Sequence, residues 1–163
     1  MKEIVYKPIG IIHSPYENTT DMPIQPAAAR GIKGTIEVLP QFADGLKDLS
    51  GFSHIILLYH FHLSSGYRLE VKPFLDDNIH GVFATRAPKR PNNIGLSVVK
   101  LIRVEASILY IENVDIVNDT PLLDIKPYVP EFKAADNIKI GWLTDSIHKL
   151  SVKKSDKRFD FYF

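Results

Sequence analysis

The sequence predicts a mainly β protein, a single-domain β-barrel with short helical additions. Runs rich in Ile, Val and Leu are short and recur along the chain, separated by clusters of Gly, Pro, Asn, Asp and Ser. Only two stretches space apolar residues at helical intervals, and both are brief: Phe42, Leu46 and Leu49, then Trp142, Leu143, Ile147 and Leu150. The 163 residues suit one domain with one core, and no internal repeat marks a second. Many short strands joined by frequent turns favour a barrel. The barrel is expected over residues 4–135. A C-terminal helix and a basic, aromatic tail are expected over 136–163, packed on the same domain.

In chain order, residues 4–12 alternate loosely and are interrupted by Pro8, which suits an edge strand. His13-Ser14-Pro15-Tyr16 turns the chain. Residues 17–30 read as a long loop, with turn formers at 18–21, Pro23 and Pro26, and a short helical turn from Ala27 stopped by Gly31. A loop of this length in a compact domain is either functional or a mobile connection. Residues 34–39 form a strand by alternation and β-branching, and 41–49 a short helix ended by Ser50-Gly51. Residues 52–63 are apolar enough for a buried central strand.

A weak strand at 67–73 and a loop at 75–78 follow. Strands are expected at 81–85 and 94–105, and a hairpin partner at 107–113, with 114–117 continuing it. Asn118-Asp119-Thr120-Pro121 is dense in turn signals. Beyond Pro130 the composition turns polar before the final helix. The tail holds Lys153, Lys154, Lys157 and Arg158, then Phe159, Phe161, Tyr162 and Phe163.

The totals exclude several functions. The chain has no cysteine, so disulfides, Cys-ligated zinc and thiol catalysis are absent. No apolar run approaches the roughly 20 residues of a membrane span, and the first residues lack a signal-peptide core, so a cytoplasmic protein is expected. The net charge of +1 gives no global attraction for nucleic acid, so RNA binding would need a local patch. GxGxxG, GxxxxGK[ST] and GxSxG motifs are missing.

The densest local chemistry lies in Thr85-Arg86-Ala87-Pro88-Lys89-Arg90-Pro91-Asn92-Asn93. Two prolines stiffen it and hold Ala87 and Arg90 out of helical conformation. It reads as a rigid cationic loop, solvated or binding. Arg86, directly after the strand expected at 81–85, suits a carboxylate. Lys89 and Arg90 suit an RNA phosphate, or an ion pair with Asp115 or Asp124. His54, His60 and His62 form a second cluster. On one strand, 60 and 62 would share a face and with His54 offer a three-His metal site. No carboxylate partner stands nearby, and no metal is expected.

Thr85–Ser97, read TRAPKRPNNIGLS, resembles the T-R-x-x-x-R-P-N-P-I-G-x-S signature of the TsaA-like family. Ile9–Tyr16 (IGIIHSPY) and Asp119–Tyr128 (DTPLLDIKPY) match further family segments. Asn93 replaces the family's usual Pro, and Asp119 its usual Gly. Asp tolerates φ > 0 better than most residues, so the turn remains accessible while a negative charge is added.

The resemblance implies a β-barrel acting as a homodimer. Its implied activity is methyl transfer from S-adenosylmethionine to N6 of the threonylcarbamoyl-adenosine beside the tRNA anticodon. Its implied cofactor site is Gln25, Pro26, Ala27, Phe61, His62, Arg86, Leu96, Asn118, Asp119, Thr120 and Pro121. The transfer needs no covalent nucleophile. It proceeds without a general base, or with His62 or Asp124 as one. A non-catalytic module holding S-adenosylmethionine, and a metal-dependent barrel enzyme, are the alternatives.

Overall fold

The computed structural model describes residues 2–20, 22–130, 138–156 and 159. Its strands are β1 (Gly10–His13), β2 (Lys33–Val38), β3 (His54–His60), β4 (Glu70–Val71), β5 (His80–Gly81), β6 (Ile94–Glu105), β7 (Ile108–Glu112) and β8 (Thr120–Pro127). Six of them close a barrel in the order β1-β2-β7-β6-β3-β8, with every pair antiparallel. β4 and β5 pair separately as a short ribbon. The mainly β barrel expected from the sequence is therefore the fold.

Closure changes the meaning of β1. The sequence suggested an edge strand from residue 4. Instead β1 begins at Gly10 and is paired on both sides, with β2 and β8. Ile4 and Val5, 74% and 75% exposed, precede it without joining the sheet. Gly10 is needed because a Cβ there would press on the Glu37 carbonyl of β2 at 2.5 Å.

Alternation decides what faces inward. Ile55, Leu57 and Tyr59 of β3 are buried, and Gly95, Ser97, Val99 and Leu101 of β6 face them. Ile12, Ile36, Val38, Leu109, Ile111 and Leu122 complete the core from the other strands. Period-two burial of β-branched and Leu side chains is what the sequence pattern encoded.

Two irregularities were not legible. β8 carries a bulge against β3, where Tyr59 opposes Leu122 but Leu58 opposes Asp124. The extra residue reverses the faces beyond it. Without it Asp124 would follow Leu122 into the core. With it Asp124 faces outward, ion-paired to Lys126 at 2.8 Å, and Ile125 packs on the core. The helical stretches are also tighter than expected. Pro40–Leu46, Leu49–Gly51, Gly141–Asp145 and Ile147–Lys149 are 3₁₀ turns. Residues 82–84, expected as strand, form another, and 114–117 lie outside any strand.

Tyr59 lies directly opposite Gly95, and a Cβ added at residue 95 would fall within the Tyr59 ring. Gly95→Ala should therefore lower stability by about 1–3 kcal/mol through overpacking. Urea unfolding checks this, and an unchanged midpoint would contradict the packing.

Candidate active site at the barrel mouth

A cavity of about 290 Å³ opens where β3 ends and β6 and β8 begin. Tyr59, Phe61, His62, Thr85, Arg86, Arg90, Leu96, Asp115 and Thr120 are among the residues lining it. Its volume is near the lower end of the roughly 300–1,000 Å³ typical of ligand pockets. It gathers side chains from the Thr85–Ser97 and Asp119–Tyr128 segments and from the stretch just past β3, while Ile9–Tyr16 supports it from behind without lining it.

The segment after β7 is held by the chain's start. Ser14 Oγ donates to the Ile116 carbonyl at 2.6 Å, the Ser14 amide to Asn118 Oδ1 at 3.1 Å, and the Asn118 amide to the Tyr16 carbonyl at 2.7 Å. These bonds fasten His13-Ser14-Pro15-Tyr16 to residues 116–118 and fix Asp115 beside them. Asp119 has φ 57°, the left-handed conformation the resemblance's glycine implied. Its carboxylate reaches His13 Nδ1 at 3.3 Å and is otherwise exposed. Only residues 118–119 form the turn, because Thr120 and Pro121 already belong to β8.

Asp115 carries the least obvious chemistry of the site. Ser97 Oγ donates to its Oδ1 at 2.6 Å. That commits the serine proton, so Tyr59 Oη donates in turn to Ser97 Oγ at 3.1 Å. Burial pushes the Asp115 carboxyl up to about 6, although Ser97, its own backbone amide and the Arg86 charge pull the other way. Burial and then the Asp115 charge raise the Tyr59 hydroxyl well above its ordinary value. Ser97 is the last residue of the TRAPKRPNNIGLS match. Tyr59 was not singled out, because a Tyr in an apolar run looks like packing, and Asp115 was named only as an ion-pair partner for the loop cations, a pair that is not formed among the described residues.

His62 lies past the end of β3. Its Nδ1 is 3.3 Å from Thr120 Oγ1, and that hydroxyl donates to the Val117 carbonyl at 2.7 Å. Thr120 therefore accepts from Nδ1–H, and the Nε2 lone pair of the neutral ring is left available. Burial lowers the His62 pKa, repulsion from His60 lowers it further, and Asp119 opposes both. His62 is consequently neutral at pH 7.

The cationic loop bonds back onto itself. Thr85 Oγ1 donates to the Val82 carbonyl at 2.9 Å and accepts the Ala87 amide at 3.2 Å. This pins the turn and leaves Arg86 exposed at the cavity wall, following a 3₁₀ turn and not a barrel strand. Arg90 turns inward. Its Nη1 donates to the Thr85 and Ala87 carbonyls at 3.0 and 3.2 Å, and it lines the cavity. Lys89 stays half-buried on the same loop. Asn93 bonds the Pro88 carbonyl at 2.9 Å and Ser64 Oγ at 3.3 Å through Nδ2, and its carbonyl accepts the Phe61 amide at 2.8 Å. The residue that departs from the family pattern thus ties the loop to the Phe61–Ser64 turn.

Not every sequence candidate converges. Phe61, His62, Arg86, Leu96 and Thr120 line the cavity, with Leu96 45% exposed at its rim. Gln25 lines an adjoining cleft of about 450 Å³, shared with Arg86, Phe74 and Trp142. Pro26 and Ala27 form a 3₁₀ turn beside it and touch neither space. Asn118, Asp119 and Pro121 flank the mouth, and Asp124 lies away from it on the outer face. His54 bonds Ser53 at 3.0 Å and His60 points outward. Among the described residues no three potential ligands converge on a metal position.

The C-terminal segment forms one wall. Ser155 Oγ donates to the Thr19 carbonyl and accepts the Met22 amide at 3.0 Å, clamping the long 17–30 loop. Trp142 Nε1 donates to the Ala84 carbonyl at 2.9 Å and its ring stacks on His80 at 4.7 Å. Phe159 packs edge-on to Phe74 at 5.0 Å and lines the cavity. Lys157, Arg158, Phe161, Tyr162 and Phe163 lie outside the described residues.

The sequence pattern of the tRNA-methyltransferase O N-terminal domain matches residues 11–134. A probable S-adenosyl-L-methionine-binding protein of Pyrococcus abyssi is 56% identical over 156 residues, 96% of this chain and 85% of its own length. The tRNA (adenine(37)-N6)-methyltransferase of Escherichia coli is 38% identical over 140 residues, 80% of this chain and 60% of the relative. A crystal structure of TrmO superimposes with a TM-score of 0.73 at 41% identity, covering 86% of this chain and 64% of that one. This chain spans less than two thirds of the E. coli enzyme and of that TrmO chain.

The Asp115 geometry predicts an unusual pH dependence of stability. Unfolded, the carboxyl titrates near 3.8; folded, near 6. Between these values the folded state holds a proton that the unfolded state has lost, so stability rises as pH falls from about 6 toward 4. Above pH 6 the buried charge is a cost. Asp115→Asn should stabilise the protein by about 2 kcal/mol at pH 8, with the gain gone by about pH 4. Denaturant unfolding at the two pH values checks it; a destabilised variant at pH 8 would contradict it.

Proposed function

This chain belongs to the tRNA-methyltransferase O N-terminal domain family, and on that premise we propose that it is an S-adenosylmethionine-dependent tRNA methyltransferase. The substrate position is N6 of the threonylcarbamoyl-adenosine beside the anticodon. The observation that carries the reading is the convergence of Phe61, His62, Arg86, Leu96 and Thr120 on one mouth cavity, from separate stretches of sequence. The names of relatives in P. abyssi and E. coli support the ligand and the reaction respectively.

The residues present fit the ligand. The cavity joins an apolar lining to a guanidinium at Arg86, a carboxylate at Asp115 and a neutral imidazole at His62. S-adenosylmethionine supplies an already activated methyl group. The protein's work is then alignment and exclusion of water. Arg86 holds the carboxylate end of the ligand, as a charge-assisted donor. Tyr59 and Phe61, edge-to-face at 5.5 Å, wall the reacting centre from solvent. His62 Nε2, with its lone pair free, takes the proton lost from N6. Asp124 is not assigned that role, because it lies outside the cavity.

Lys89 is the loop cation proposed for an RNA phosphate. Arg90 serves the loop's own carbonyls with one nitrogen and faces the cavity with the rest. The homodimer implied by the sequence resemblance is proposed with its interface beside the mouth, where Ile94 and Leu96 are exposed at 39% and 45%. A cytoplasmic location accords with a tRNA substrate; among the described residues no helix is long and apolar enough to cross a membrane. A second reading, binding of S-adenosylmethionine without catalysis, is favoured by the binding-protein name of the P. abyssi relative.

Calorimetry with S-adenosylmethionine and nucleoside analysis of tRNA incubated with the protein separate these readings. Binding with N6-methylated product is the expected result; binding without product selects the second reading, and no binding overturns both. Arg86→Ala should weaken binding by about 1–3 kcal/mol, and unchanged affinity would remove Arg86 from the site. Lys89→Glu should cut tRNA methylation and flatten its salt dependence, leaving S-adenosylmethionine affinity nearly intact. Equal loss of both would place Lys89 on the cofactor.

A further inference from the structure

Asp115 is a carboxylate without a cationic partner in a mostly apolar cavity. Its Oδ1 is occupied by Ser97 Oγ at 2.6 Å, and among the described residues no Lys, Arg or His forms an ion pair with it. Arg86 acts on it only at longer range. A half-buried carboxylate against apolar walls with no ion-pair partner is disfavoured, and a bound cation supplies the missing charge. The same wall carries Tyr59 and Phe61, whose rings meet edge-to-face at 5.5 Å. Aromatic rings beside a carboxylate favour a cation that has no hydrogen-bond donors of its own.

We propose that Asp115 is the counter-charge of the ligand's sulfonium and sets the preference for the charged methyl donor over the neutral thioether left after transfer. The inference rests on the proposed binding of S-adenosylmethionine. A sulfonium gives no N–H or O–H to a partner, so charge and ring faces are what recognise it. Methyl transfer removes that charge, and S-adenosylhomocysteine keeps every other group of the donor. A carboxylate here therefore distinguishes donor from spent product and favours product release. Ser97, held between Tyr59 Oη and Asp115 Oδ1, bonds one oxygen of the carboxylate, and the preference resides in the charge itself.

The test compares dissociation constants of S-adenosylmethionine and S-adenosylhomocysteine for the full chain by calorimetry near pH 8. Wild type should prefer the sulfonium. Asp115→Asn should reduce that preference on the order of ten-fold or more, the scale of one charge pair between bulk water and a protein surface, with thioether affinity nearly unchanged. Ser97→Ala, which keeps the carboxylate, should retain the preference within about two-fold. If Asp115→Asn weakens both ligands equally, the carboxylate serves a group common to both and the inference fails. If it changes neither, the inference also fails while S-adenosylmethionine binding stands. If wild type binds neither ligand, the proposed function falls and this inference with it.

Discussion

The close approach of Tyr59 to Gly95 across β3 and β6 is the contact on which the mouth depends. A phenol ring needs a neighbour without a side chain to lie flat inside so narrow a barrel. Once it does, its hydroxyl reaches Ser97, two residues further along the same inward face of β6, and Ser97 reaches Asp115. One steric allowance thus sets a chain of three polar groups within the wall. Within this chain the Gly95 and Ser97 of the TRAPKRPNNIGLS stretch serve that arrangement.

The second constraint is how the loops are tied. Three segments far apart in sequence meet at one barrel end, and each is fixed by side chains bonded to backbone. Ser14 and Asn118 hold the turn before β8, Thr85 and Asn93 hold the cationic loop, and Ser155 holds the 17–30 loop. Such bonds cost little sequence, a hydroxyl or amide each, and leave Arg86 and His62 lining the cavity. Rigid loops on a closed barrel suit a reaction whose main demand is alignment.

Much of the fold was legible in the chain. Alternating Ile, Val and Leu gave β2, β3, β6 and β7 close to their observed bounds, and the turn signals read over 118–121 fell between elements at 118–119 before β8 takes over. The pairing of β1 on both sides was not legible, because Pro8 marks an edge equally well as it marks the approach to a strand paired on both sides. The β8 bulge was hidden too: Leu122-Leu123-Asp124-Ile125 contains no glycine or proline to announce a change of face. For the site, the signature drew attention to Arg86 and to Phe61-His62. Asp115 could be found only in three dimensions, since its chemistry comes from burial beside Ser97.

The central claim is that the cavity at the barrel mouth holds the methyl donor. Its most direct test is an NMR titration of labelled protein with S-adenosylmethionine, following backbone amides. The account predicts shifts concentrated at Phe61–Ser64, Thr85–Arg90, Gly95–Ser97 and Asp115–Thr120, which surround that cavity. Shifts confined to the adjoining cleft around Gln25, Leu75 and Trp142, with the mouth unperturbed, would contradict it.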